Sequence, residues 1–149
     1  LIIALPHWGD EYVLSHNGSQ EDMAAWLVEN GTDIIIGSHP HVIQDTLKTD
    51  SAQVAYSLGN LVSNMSAANT QLGLIATLTI IRLHNGDLRI QPLEFTYTWC
   101  SRPGGYDTSY TVIPVKEFIG KRDRWMNVHD YDKMMRTYTH VKEKTGIKD

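Results

Sequence analysis

Two short runs of aliphatic residues, Leu1-Ile2-Ile3-Ala4-Leu5-Pro6 and Asp33-Ile34-Ile35-Ile36-Gly37, flank a segment with helical spacing, and this arrangement constrains the fold more than any other feature. Consecutive rather than alternating apolar residues suit a strand covered on both faces, and such strands sit in parallel or mixed sheets. Between them Ser19 suits a helix cap, with Asp22 as a shortened capping box. Met23, Trp26 and Leu27 recur at helical spacing through Glu29, and Asn30-Gly31 ends the pattern. The segment from Leu1 to Gly37 therefore reads as strand, helix, strand, with parallel strands and a right-handed crossover. The fold class that follows is α/β with mixed sheets. A first strand buried on both faces needs neighbours, so further sequence is expected ahead of Leu1.

Both strands run into polar clusters. The first ends in His7-Trp8-Gly9-Asp10-Glu11-Tyr12 and the second in Ser38-His39-Pro40-His41. Open α/β sheets place their ligands beyond the carboxyl ends of their strands, so the two clusters are expected on one sheet edge. In an extended segment His39 and His41 point the same way, and Pro40 fixes one torsion between them. Neutral imidazoles bind zinc, iron or manganese, and a donor set without thiolate suits a hydrolytic rather than a structural ion. His7, His39 and His41 are therefore candidate metal ligands. Glu11 is a candidate general base or a partner that orients a ligand, whereas Asp10 reads as a solvated loop residue. Trp8 and Tyr12 suit either a substrate mouth or packing against the helix. His16, His84, His129 and His140 fall in loops, a turn approach or a helix face and read as surface residues.

Composition narrows the alternatives. A chain of 149 residues supports one hydrophobic core, and a net charge of −4 argues against nucleic acid as a partner. Cys100 is the only cysteine, which excludes an intrachain disulfide and a thiolate zinc cluster. No apolar run is long enough for a membrane span.

Farther along, Gln53 to Leu58 reads as a third strand closed by Gly59-Asn60, and Met65 to Thr70 as a loop. Leu72 to Leu83 and Leu88 to Tyr97 read as a hairpin around Asn85-Gly86-Asp87, with Pro92 at an edge or bulge. Ser101 to Ser109 reads as an exposed loop, Tyr110 to Ile113 as a short strand, and Pro114 as the first turn of a short helix carrying Val115, Phe118 and Ile119. A final helix is expected from Asp130 to about Lys144.

Three blocks carry a resemblance: His7 to Tyr12, Asn30 to Gln44, and Tyr56-Ser57-Leu58-Gly59-Asn60-Leu61. In that order and at those intervals they resemble the bacterial capsule-synthesis CapA proteins, poly-γ-glutamate biosynthesis proteins of the calcineurin-like metallophosphatase superfamily. The clear resemblance covers roughly residues 1 to 62. It implies that residues 1–149 form the C-terminal part of a single metallophosphatase-like domain, a portion of a four-layer αββα sandwich, with a helical extension over about 114 to 149. It implies two divalent ions in the full-length protein, with His7 and His39 resembling ligands of one and His41 a ligand of the other. The pattern leaves manganese, iron and zinc undistinguished. Asn60 resembles the asparagine of the family's Ser-Leu-Gly-Asn block, with a structural or substrate-lining role.

Nothing here matches the family's earlier blocks, which carry an Asp-containing strand end, a bridging carboxylate and an Asn-His pair. The missing N-terminal half of the domain is thus an expected partner, and residues 1–149 alone are expected to be inactive. Two functions remain open: a hydrolase cleaving a phosphoester or amide bond with a metal-activated water, or a non-catalytic accessory protein that binds an anionic polymer. The resemblance implies a bacterial protein outside the cytoplasm or at the cell envelope.

Overall fold

The structure, a computed structural model, describes residues 1–149. The expected strand–helix–strand unit is present. Strand β1 (Ile3–Ala4) and strand β2 (Ile34–Ile36) pair in parallel, with Ile3 opposite Ile34 and Ala4 opposite Ile35, and helix α1 (Gly18–Glu29) connects them. Two further strands complete the sheet. Strand β3 (Thr46–Lys48) pairs antiparallel with β4 (Gln53–Ala55), which pairs in parallel with β2, giving the order β1-β2-β4-β3.

Having neighbours on both sides, β2 buries Ile34 and Ile35 almost completely. The first strand has a neighbour on one side only within residues 1–149. It stands at the sheet edge, and Leu1, Ile2, Ile3 and Leu5 are 50%, 53%, 44% and 74% exposed. The cap of α1 differs from the expectation: Asn17, not Ser19, is the N-cap. Its side chain accepts from the Gln20 N–H, and Gln20 Oε1 accepts in return from the Asn17 N–H at 3.0 Å. Asn is among the best N-caps and Gln20 has the reach to close the box, so the pair outcompetes Ser19 and Asp22 one turn inside.

The second sheet is antiparallel, built from β5 (Leu72–Thr77), β8 (Glu94–Ser101) and β9 (Thr111–Pro114) in the order β5-β8-β9. The expected hairpin forms but breaks partway. Its tip, β6 (Ile80–Arg82) with β7 (Leu88–Ile90), is a separate two-stranded ladder. Between the pairs Thr77–Glu94 and Ile80–Ile90, Leu78 and Thr79 oppose Gln91, Pro92 and Leu93, so the returning strand carries one extra residue. That is a bulge, placed where Pro92 cannot donate to the ladder. Gln53 fills the gap by donating to the Gln91 carbonyl at 3.0 Å and accepting from the Leu93 N–H at 2.7 Å, which ties the bulge to the first sheet.

The main core lies between the second sheet and helix α3 (Val128–Thr145), where Leu72, Leu74, Tyr97, Trp99 and Ile113 pack with Met134 and Val141. Asn127 caps α3 through the His129 N–H, and Gly146 ends it in the left-handed conformation. A single turn, α2 (Val115–Phe118), follows Pro114, which is its N-cap rather than part of its first turn. A smaller core of Ala24, Ile35, Val54 and Tyr56 lies under α1. The two sheets are stitched by residues 58–59: Leu58 bridges to Ile43, Gly59 bridges to Gly73, and the Leu74 N–H donates to the Leu58 carbonyl at 2.8 Å. Asn60 follows that crossing.

Candidate metal and catalytic site

Parallel pairing continues beyond β1 and β2 into the two polar clusters. Ser38 donates its N–H to the Pro6 carbonyl at 3.0 Å, and Trp8 donates its N–H to the Ser38 carbonyl at 3.0 Å, so His7 bridges directly to Ser38. This register sets the ring of His7 beside that of His39, with centroids 4.5 Å apart, and the ring of His41 lies 6.2 Å from that of His39. The structure thus brings the three sequence-selected histidines together on one sheet edge. His7 is exposed, and His39 and His41 are half-buried.

The route to that convergence is not the extended His-Pro-His segment expected. The backbone there is bent, with φ of 105° at His39 and 60° at His41, and Tyr12 across from it has φ of 66°. Only one other non-glycine residue, Asn69, has positive φ. Such conformations cost on the order of 1–3 kcal/mol each and persist where surrounding contacts impose them. The imposing contacts are visible: the Tyr12 N–H donates to the Pro40 carbonyl at 2.8 Å, and Pro40, Val42 and Ile43 are buried.

Asn60 fixes the state of His41. Its Nδ2 donates to the His41 carbonyl at 3.2 Å and the Thr70 carbonyl at 3.1 Å, which leaves Oδ1 facing His41 Nδ1 at 3.0 Å. An amide oxygen only accepts, so His41 Nδ1 carries a proton and donates it. In the neutral ring Nε2 then holds the lone pair. Glu11 Oε1 lies 3.9 Å from that Nε2. A lone pair and a carboxylate facing each other repel unless a proton or a cation lies between them.

The other sequence-selected residues divide. Tyr12 is exposed and stacks on the His41 ring at 6.1 Å; its hydroxyl is held above the ordinary tyrosine range by desolvation and by the adjacent Glu11 carboxylate. Trp8 turns inward, donating from Nε1 to the Tyr56 carbonyl at 2.8 Å and packing on the smaller core, so packing accounts for it. Gly37 makes room for that bond, since a Cβ there would lie 2.0 Å from the Tyr56 oxygen and 2.3 Å from Trp8 Nε1. Asp10 accepts from Asn17 Nδ2 at 2.7 Å and belongs to the helix cap. His84, His129 and His140 are exposed as expected, but His16 is not a plain surface residue. It is half-buried, stacked on Tyr56 at 3.9 Å, with Nδ1 2.9 Å from Asp45 Oδ1.

Sequence reasoning missed two residues altogether. Gln20 and Gln44 are fully buried, and Gln20 Nε2 donates to Gln44 Oε1 at 2.8 Å. Gln44 lies in one of the blocks singled out above, but nothing in its neighbours marks it as inward-facing.

As a donor set, three imidazoles and a carboxylate are of the right kind for a divalent ion of borderline softness. By themselves they do not close around a point: no three His, Cys, Asp or Glu side chains are placed to hold an ion without further donors.

Comparison with known proteins bears on the same region. The family model for "Bacterial capsule synthesis protein PGA_cap" matches residues 1–65, the stretch that holds the first sheet, the three histidines and Asn60. The chain is similar to "PGA biosynthesis protein CapA" of Bacillus subtilis (strain 168), with 28% identity over 94 residues, 63% of this chain and 25% of that protein. It is also similar to "Capsule biosynthesis protein CapA" of Bacillus anthracis, with 38% identity over 71 residues, 48% of this chain and 17% of that protein. The chain therefore spans a quarter or less of the length of these relatives. Beyond the matched stretch, no helix is long and apolar enough to cross a membrane. Residues 1–65, with the histidine edge inside them, match the bacterial capsule synthesis PGA_cap family.

Proposed function

We propose that this chain supplies part of the active site of a metal-dependent hydrolase of the metallophosphatase type, acting at the bacterial cell envelope on a phosphoester or amide bond in capsule or poly-γ-glutamate biosynthesis. The observation that carries the reading is the meeting of His7, His39 and His41 on one edge, with two of them held in strained backbone and His41 Nδ1 held by Asn60 so that Nε2 is the ring nitrogen left to face a ligand. A binding cleft for an anionic polymer has no need of that arrangement.

In this reading His7 and His39 would hold one divalent ion and His41 a second. The remaining donors would come from polypeptide outside residues 1–149, so the isolated chain is expected to bind metal weakly and to turn over poorly. Such ions, when bound, lower the pKa of water and stabilise negative charge on a phosphoryl or carbonyl oxygen. The chain's own residues have separate tasks. Asn60 holds the His41 tautomer, Glu11 is placed beside His41 Nε2 to take a proton, and Tyr12 shields the outer face of the His41 ring from water.

The test is metal analysis of the full-length protein together with hydrolysis of a generic phosphodiester and of a γ-glutamyl peptide. Stoichiometric metal and a turnover lost in His39→Ala are expected. Metal-free protein that still binds poly-γ-glutamate would overturn the hydrolase reading and assign an accessory, polymer-binding role.

A further inference from the structure

The loop from Gly9 to Asn17 carries Glu11 and Tyr12, yet it contains no helix or strand of its own. Its backbone meets the histidine segment through Tyr12 N–H to the Pro40 carbonyl, and its next main-chain tie within the loop is made by a side chain. That side chain is Gln44, three residues beyond His41. Its Nε2 donates to the Val13 carbonyl at 2.9 Å and the Ser15 carbonyl at 3.1 Å, so both amide hydrogens are used. Its Oε1 accepts from Gln20 Nε2 at 2.8 Å, and Gln20 Oε1 accepts from the Asn17 N–H at 3.0 Å. The chain of amides begins on the segment that bears His41 and ends on the helix cap that closes the loop.

We propose that the buried Gln20–Gln44 amide pair is the positioning device that holds Glu11 and Tyr12 against His41; the proposal rests on the hydrolase reading above. Two features give the pair its directional character. Turning the Gln44 amide over would aim its oxygen at two carbonyls and its nitrogen at the Gln20 nitrogen, so only one orientation is satisfied. Gly9 also sits directly on the Gln20 amide, where a Cβ would lie 2.6 Å from Cδ, so the start of the loop is seated on the same group. Other contacts anchor the loop, namely Leu14 against the main core and His16 on Tyr56 and Asp45, but these hold side chains, whereas Gln44 holds the loop's own carbonyls. Gln44 alone joins the loop backbone to the histidine segment through a side chain.

The test uses Gln44→Met, which keeps length and burial but removes both donors, and Gln20→Met, which removes only the brace. Both are made in the full-length protein, and neither amide touches the metal ligands. Without metal, hydrogen exchange of the amides from Glu11 to Asn17 is expected to accelerate about tenfold or more in Gln44→Met, less in Gln20→Met, and not at all in α3. The His41 ring proton signals should shift in the direction produced by Tyr12→Ala, since the stacked ring moves away. With Zn²⁺ as the probe, Gln44→Met should weaken affinity severalfold in the wild-type background and leave it unchanged in Glu11→Gln, because the amide acts through Glu11. Unchanged loop exchange, or an affinity loss equal in both backgrounds, would overturn the proposal. Wild-type protein that takes up no Zn²⁺ would overturn the hydrolase reading, while the exchange and ring signals would still decide whether the amide pair positions the loop.

Discussion

The strained backbone at His39 offers a sharp test of why that residue is where it is. At φ of 105° a Cβ crowds the neighbouring carbonyl, and His39 lies outside even the small left-handed basin that asparagine and aspartate visit. Two substitutions remove the imidazole equally: His39→Ala keeps the Cβ and His39→Gly does not. Their difference in stability therefore isolates the backbone, because lost contacts with the His7 ring cancel. At an ordinary position alanine is the more stable by about 0.5–1 kcal/mol, since glycine has more freedom to lose on folding. Here the order should reverse. Relief of about 1–3 kcal/mol of strain, set against that entropy, leaves glycine ahead by about 0.5–2 kcal/mol. With a urea m-value of about 1–3 kcal/mol/M, the midpoint of the glycine variant should lie about 0.2–2 M above that of the alanine variant. Equal midpoints, or alanine ahead, would mean that the bend is relaxed and that strain is no argument for function at this site.

Replacing Asn60 with leucine strands the carbonyls of His41 and Thr70 and frees the His41 ring. Loss of about 2–4 kcal/mol in denaturant unfolding is expected, along with a fall of about 10–100-fold in metal affinity, and unchanged affinity would remove Asn60 from the site. Gly37→Ala drives a methyl group into the Tyr56 carbonyl and the Trp8 indole, so thermal unfolding should fall by several degrees and the Trp8 emission should shift; a variant as stable as the parent would refute the close approach. The Asp149 carboxyl feels burial, which alone would raise its pKa, but hydrogen bonds from Lys142 and Tyr138 together with the Lys142 charge outweigh it and hold the group below its ordinary value. A depressed folded pKa gives stability that is present above the unfolded value of about 3.9 and lost as pH falls through the folded one. In Lys142→Met stability at neutral pH should therefore fall while the share of the acid-side loss that belongs to Asp149 shrinks, so the two profiles converge as pH falls; a constant offset between them would deny the linkage.

Much of the first sheet was legible because its strands are written in unbroken aliphatic runs, and a parallel pair with a helix between has one favoured handedness. Register then did the rest: with Ile3 opposite Ile34, the bridge of His7 to Ser38 follows, and the histidines must be neighbours. The details that sequence misread are competitions between nearby alternatives. Asn17 and Ser19 are both good caps, and only the reach of Gln20 decides between them. The hairpin was visible as a pattern, but Pro92 displaced the ladder by one residue, and the compensating partner, Gln53, lies 38 positions earlier than Gln91 and carries no local signal. β3 was missed because Thr46, Leu47 and Lys48 are all exposed and show no burial pattern. The roles of Gln20, Gln44 and Asn60 depend on which carbonyls lie opposite them after folding. Spacing along the chain does not encode that.

The edge position of β1 carries a consequence of its own. In its pairing with β2 the main-chain groups of Ile2, Pro6 and Trp8 face inward, so by alternation those of Ile3, Leu5 and His7 point away from the sheet. This rim is at once adhesive and sequence-tolerant. It offers spaced donors and acceptors flanked by greasy side chains, carries no lysine, and its one proline, Pro6, faces the inner row and so removes no outward donor. Residues 1–149 in isolation should consequently recruit extended peptide along this margin, their own kind included, as concentration rises. Light scattering that grows with concentration and diminishes in Leu5→Lys would register it. Any strand captured there would run beside His7, so occupancy of the rim and the make-up of the histidine edge are one question.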